Sequence, residues 1–162
     1  MRRMPGQHRS AARLHDERLD RAHDFTNKSG VVHSEVLLPE NGPDEWRERE
    51  RLWNDVEAFE KRKDAQLSRE VEFAIPREMT QEQGIELARD FVRNEFVERG
   101  MIADLNVHWD LGADGQPKPH AHVMLTMREV GKDGFGLIEI PRHASVLRAA
   151  TGEHEHHLGV LT

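Results

Sequence analysis

The chain has no cysteine among its 162 residues. That excludes disulfides, thiolate metal sites and cysteine nucleophiles together, and it fits a cytoplasmic protein. It has no tyrosine either, so chemistry that needs a tyrosine nucleophile cannot be carried out by these residues. Aromatic residues make up only 6% and hydrophobic residues 36% of the sequence, which leaves a modest core. No window approaches the roughly 20 apolar residues needed to span a bilayer. Met1 to Ser10 is basic and polar and lacks the apolar stretch of a secretory signal. Positive charge is short as well: 23 Lys and Arg stand against 30 Asp and Glu, for a net charge of −7. On charge alone this weighs against a nucleic-acid partner, but a bound cation would reverse the local field.

What is present is histidine, 11 residues of it, and a patterned chain of a length that suits one domain. Val31 to Leu38 is β-branched and apolar and closes at Pro39, a strand with a stop. After the turn cluster Pro39 to Pro43, Leu52, Trp53, Val56 and Phe59 follow helical spacing, with Asp44 as the expected N-cap. Arg69 to Ile75 alternates, with Val71, Phe73 and Ile75 on one face and Glu70, Glu72 and Ala74 on the other. Thr80 and Gln83 have the spacing of a capping box for a second helix, which carries Ile85, Ala88, Phe91 and Val92 and ends at Gly100. Met101 to Asp110 and Pro119 to Met127 read as two strands of a hairpin joined by the Gly/Pro-rich loop Gly112 to Pro119. The order predicts an α+β domain with helices packed on one face of an antiparallel sheet. Trp46, Trp53 and Trp109 are expected in the core.

His120 and His122 stand at i and i+2 in a strand, so both imidazoles point to one face. The hairpin brings His108 beside them. Three converging imidazoles make a metal site with positions left open for water or phosphate. The plainer alternative is a set of solvated imidazoles on an exposed strand face. Lys118, beside the pair, is either a phosphate contact or an ordinary solvated lysine. The tail histidines His143, His154, His156 and His157 read as part of a polar end.

The stretch NVHWD followed by PKPHAHVMLTMREV resembles the histidine motif of MobA/MobL-type relaxases of the HUH endonuclease superfamily, in which two histidines flank a hydrophobic residue. His120-Ala121-His122 fits that pattern. Upstream, RLHDERLDRAHDFTNKSGVVHSEVLLP and REVEFAIPREMTQEQ are similar to blocks of the family's TraA-like members. The resemblance covers about Ala11 to Gly136. It implies a relaxase-like palm that binds single-stranded or hairpin origin-of-transfer DNA and nicks one strand at a specific site. It implies that His108, His120 and His122 hold a divalent metal ion, Mg²⁺ or Mn²⁺. It also implies a strand glutamate that orients or deprotonates, for which Glu72 and Glu70 are the two candidates. Exposed sheet positions are the plain reading of both. His15, His23 and His33 fall in the upstream block, and His23 and His33 are expected to be structural or to face DNA.

The family begins with a strand and an Ala-rich helix that carries the catalytic tyrosine just before the RLHDER block. Neither is expected here, where the chain reads MRRMPGQHRSAARLHDER. From Leu137 the pattern is lost again. The expected organisation is an irregular segment 1–11, a relaxase-like domain 12–136 and a disordered tail 137–162. The expected function is a relaxase-derived, metal-dependent nicking domain for conjugation or mobilisation, defective in covalent transfer. The alternatives are a non-catalytic remnant that binds single-stranded DNA or other conjugation proteins, and a metal-dependent hydrolase that uses water.

Overall fold

The computed structural model describes residues 30–60 and 65–140. The expectations for the first 29 residues, including the absent strand and tyrosine helix and the RLHDER block with His15 and His23, lie outside the described residues. So do those for 141–162, with His143, His154, His156 and His157.

The architecture is α+β. Four antiparallel strands, β1 (Val31–Leu37), β2 (Arg69–Ala74), β3 (Ala103–Leu111) and β4 (Pro117–Leu125), form a sheet in the order β1-β3-β4-β2. Helix α1 (Arg49–Phe59) follows β1, and helix α2 (Gln81–Glu95) follows β2. A small hairpin, β5 (Arg128–Gly131) and β6 (Gly134–Glu139), stands apart from the sheet. It crosses Gly136, where the family pattern was expected to end. Among the described residues no helix is long and apolar enough to cross a membrane.

Strand β3 explains the two-sided character of the sheet. Leu105, Val107 and Trp109 alternate with Asp104, Asn106, His108 and Asp110, so one face is apolar and the other polar. The apolar face joins Val71, Phe73, Ala121 and Val123 from β2 and β4, and α2 covers it with Ala88, Phe91 and Val92. Burying each large side chain there contributes roughly 1.5–3 kcal/mol. The capping box that opens α2 forms as expected: Gln83 N–H donates to Thr80 Oγ1 at 3.2 Å, and Thr80 N–H donates to Gln83 Oε1 at 3.1 Å. Trp109 lies against this helix at Gly84, where a β-carbon would come within 2.7 Å of its ring. The small residue therefore sets how closely helix and sheet approach.

Helices do not share one face as the sequence order predicts. Helix α1 buries Leu52, Trp53 and Val56 with Val36, Ile102 and Met124, and Val36 and Met124 alternate with the residues under α2. It thus covers the polar face, but only the end of that face where these apolar residues occur. Arg49 fastens it there, donating from Nε and Nη2 to the fully buried Asp104 carboxylate at 2.7–2.9 Å. Trp53 Nε1–H donates to the same carboxylate at 2.9 Å. The histidine end of the face is left uncovered by either helix.

Two local expectations are corrected. Asp44 is not an N-cap. It opens a separate 3-10 turn, Asp44–Arg47, preceded by Pro43, and Glu48 is extended before α1 begins. The Asp44 carboxylate instead accepts from Arg47 Nε at 3.2 Å, so its oxygen does not serve a helix N-terminus. The β3-β4 loop is also shorter than the Gly/Pro content implies. Gly112 N–H donates to Gln116 O at 2.7 Å, and Asp114 Oδ1 accepts from Gln116 N–H at 3.0 Å. These bonds close the turn early and place Pro117 to Pro119 within β4. Trp46 and Trp53 are core, as expected. Trp46 stacks on Phe135 of the small hairpin with ring centroids 4.3 Å apart.

Candidate metal centre

The ladder fixes the site. In the β3-β4 register His108 stands opposite His120, and Asn106 opposite His122. On the other side of β4, Glu72 stands opposite His122 and Ala74 opposite His120. Directly paired residues share a face, so all three imidazoles and Glu72 emerge together. The ring centroids form a nearly equilateral triangle: 5.0 Å for His108–His120, 4.8 Å for His108–His122 and 4.9 Å for His120–His122. His108 is buried and the other two are half-buried.

Individual donor atoms group differently from the rings. Those of Glu72, His120 and His122 lie within 4.8 Å of one another, and so do those of His108, Asp110 and His120. His120 belongs to both groups. The ring triangle is the better guide to a shared centre, because imidazoles turn about χ2 more readily than backbones shift. The donor set of imidazole nitrogens with nearby carboxylate oxygens fits a divalent cation.

Neighbouring groups orient these donors. His120 Nδ1 lies 2.9 Å from the Lys118 carbonyl oxygen. A carbonyl only accepts, so Nδ1 is the donor in this contact and Nε2 is the nitrogen turned away from it. Glu72 Oε2 lies 3.6 Å from His122 Nδ1. Glu72 is therefore brought to the site. Glu70 is not: it pairs with Met124, one step further from the histidines on the same strand face. Beside the centre is a cleft of about 710 Å³ lined by Glu72, Ala74, Asp110, Lys118 and His120 among others. Lys118 is a strand residue, paired with Asp110, and its side chain is exposed at this cleft.

His33 lies on the opposite face of the sheet, paired with Val107. Its Nε2 is 2.5 Å from Glu35 Oε2, and Arg89 of α2 donates to the other Glu35 oxygen at 2.8 Å. Glu35 thus links β1 to α2, and His33 lies against its second oxygen. The sequence reading missed Asp110 and the polar set Arg49, Ser34, Asp104 and Asn106. Ser34 Oγ donates to Asn106 Oδ1 at 2.7 Å, and Asn106 Nδ2 donates to Asp104 Oδ1 at 3.4 Å. The period-two run Asp104, Asn106, His108, Asp110 was the available signal for three of them.

The model of the MobA/MobL family matches residues 6–157, a span that begins before residue 12 and ends after residue 136. The chain is 43% identical over 136 residues to the conjugal transfer protein TraA of Agrobacterium fabrum, covering 77% of this chain and 12% of that protein. It is 36% identical over 148 residues to the mobilization protein MobL of Acidithiobacillus ferridurans, covering 78% of this chain and 38% of that protein. A solved structure described as "Molecular Basis of Vancomycin Resistance Transfer in Staphylococcus aureus" superposes with a TM-score of 0.62 at 33% identity, over 82% of this chain and 66% of that one. The chain belongs to the MobA/MobL family of mobilisation relaxases. It spans about an eighth of the TraA relatives' length.

Proposed function

We propose that this chain forms the metal-binding half of a relaxase centre, in which His108, His120 and His122 hold a divalent ion against a phosphodiester of single-stranded or hairpin origin-of-transfer DNA. The observation that carries this reading is the triangle of imidazoles with centroids 4.8–5.0 Å apart, on the end of the sheet face that neither described helix covers. Three nitrogen donors suit Mn²⁺ better than Mg²⁺, which prefers an oxygen cage. A bound ion would neutralise charge on the phosphate and polarise its P–O bonds. His120 would present Nε2, because the Lys118 carbonyl holds its Nδ1 proton. Glu72 would orient His122 through Nδ1, and Lys118 would add positive charge at the cleft mouth in a chain that is otherwise acidic.

The 162 residues contain no tyrosine. Strand transfer through a tyrosyl–DNA bond therefore needs a nucleophile from outside these residues, and that observation favours the second reading, a module that binds DNA without joining to it. A fluorescent oligonucleotide carrying a hairpin and an adjacent single strand, incubated with the chain and Mn²⁺, separates the possibilities. Metal-dependent binding with no covalent product is expected. A denaturant-stable protein–DNA adduct would overturn the assignment of a missing nucleophile. Cleavage without an adduct would point to water as nucleophile, and binding indifferent to Mn²⁺ would remove the metal from the account.

A further inference from the structure

The imidazoles have a neighbour that spacing alone did not single out. Asp110 continues the polar alternation of β3 two residues beyond His108, on the same face. Its carboxylate shares a donor group with His108 and His120, all within 4.8 Å. Across the ladder it pairs with Lys118, whose carbonyl fixes the His120 ring. The carboxylate is half-buried at the cleft beside the centre.

Its position is built in by a glycine. Gly30, at the start of β1, accepts the Trp109 N–H through its carbonyl at 2.8 Å, which locks it beside the end of β3. A β-carbon on Gly30 would collide with the Asp110 carboxylate, coming within 2.7 Å of Cγ. Gly30 also has φ of +94°, a backbone region that other residues rarely adopt. The absent side chain at Gly30 is the cradle in which the Asp110 carboxylate sits.

We propose that Asp110 is a fourth protein donor of the metal centre, supplying a carboxylate oxygen beside His108 and His120. This rests on the metal-centre reading and deepens it. Three imidazoles bring no negative charge and no hard oxygen of their own, and the exposed Glu72 carboxylate lies on the His122 side of the cluster. One carboxylate lowers the net charge of the site by one and adds the oxygen that Mg²⁺ and Mn²⁺ prefer. Asp110 thereby shifts the site's preference from softer cations toward these two.

The test is calorimetric titration of the 162-residue chain with Mn²⁺ and with Mg²⁺, comparing wild type, Asp110→Asn, Gly30→Ala and His122→Ala, with circular dichroism to verify folding. Asp110→Asn is expected to weaken Mn²⁺ binding about tenfold or more, the scale seen when groups supporting a metal site are lost, and to weaken Mg²⁺ by a larger factor. Gly30→Ala keeps every donor but displaces the carboxylate and strains the backbone at its φ of +94°, so it is expected to act in the same direction. Wild-type affinity for both ions in Asp110→Asn and Gly30→Ala, with binding lost in His122→Ala, would overturn the role of Asp110 alone. Unchanged binding in His122→Ala as well would overturn the metal centre itself.

Discussion

Glu72 and His122 stand directly opposite each other on β2 and β4, with Glu72 Oε2 3.6 Å from His122 Nδ1. Of the two glutamates that the family resemblance offers, this pairing places one at the histidines and the other, Glu70, beside Met124. Glu72→Gln is expected to lower Mn²⁺ affinity about 10-fold to 100-fold, the usual cost of losing a group that orients a metal-binding histidine. Glu70→Gln should leave it unchanged. Equal effects from the two substitutions, measured by calorimetry, would remove the special place given to Glu72.

Arg49 sets the other limit of the site. Its guanidinium grips the Asp104 carboxylate, which has no solvent exposure, and also donates to Ser34 Oγ at 2.6 Å. Removing one partner of a buried pair leaves a charge uncompensated. Arg49→Ala is expected to destabilise the fold by about 3–5 kcal/mol in urea denaturation. Arg49→Lys should rescue little of that loss, because an ammonium cannot reproduce the two-pronged contact. Full recovery with lysine would show that charge alone, rather than geometry, holds α1 to the sheet.

The acid side of stability has a specific contributor in Asp55. Burial pushes its carboxyl up, but the Trp46 indole N–H at 2.7 Å and the Arg51 guanidinium at 2.9 Å outweigh that, and the net shift is below the ordinary value of 3.8. A carboxyl depressed on folding adds stability above its unfolded pKa and loses it as pH falls through the folded one. The gap in Tm between wild type and Asp55→Asn should therefore be open near pH 6 and narrow steadily below about pH 4. A gap that stays constant across that range would show that the charge of Asp55 does not matter to the fold.

The histidine cluster was legible because a strand has period two and a hairpin has a register. His120 and His122 must share a face, and pairing of their strand with β3 leaves few places for His108. The capping box at Thr80 was legible for the same reason: its partners are three residues apart. What could not be read were relationships between residues distant in sequence. Arg49 meets Asp104, and Gly30 meets Asp110, through packing that no local pattern encodes. The placement of α1 on the polar face was hidden too, because an amphipathic helix does not declare which surface it covers. Asp110 was legible in principle, as the next polar position after His108 on β3. The Gly/Pro-rich stretch that follows it makes it look like a strand end, whereas β3 runs on to Leu111.

The most direct measurement is the Mn²⁺ affinity of the 162-residue chain beside that of His108→Ala, His120→Ala and His122→Ala, each verified as folded. A single centre built from all three imidazoles predicts one bound ion per chain and a loss of at least about tenfold in every variant. Wild-type affinity in any one folded variant would contradict a centre shared by the three.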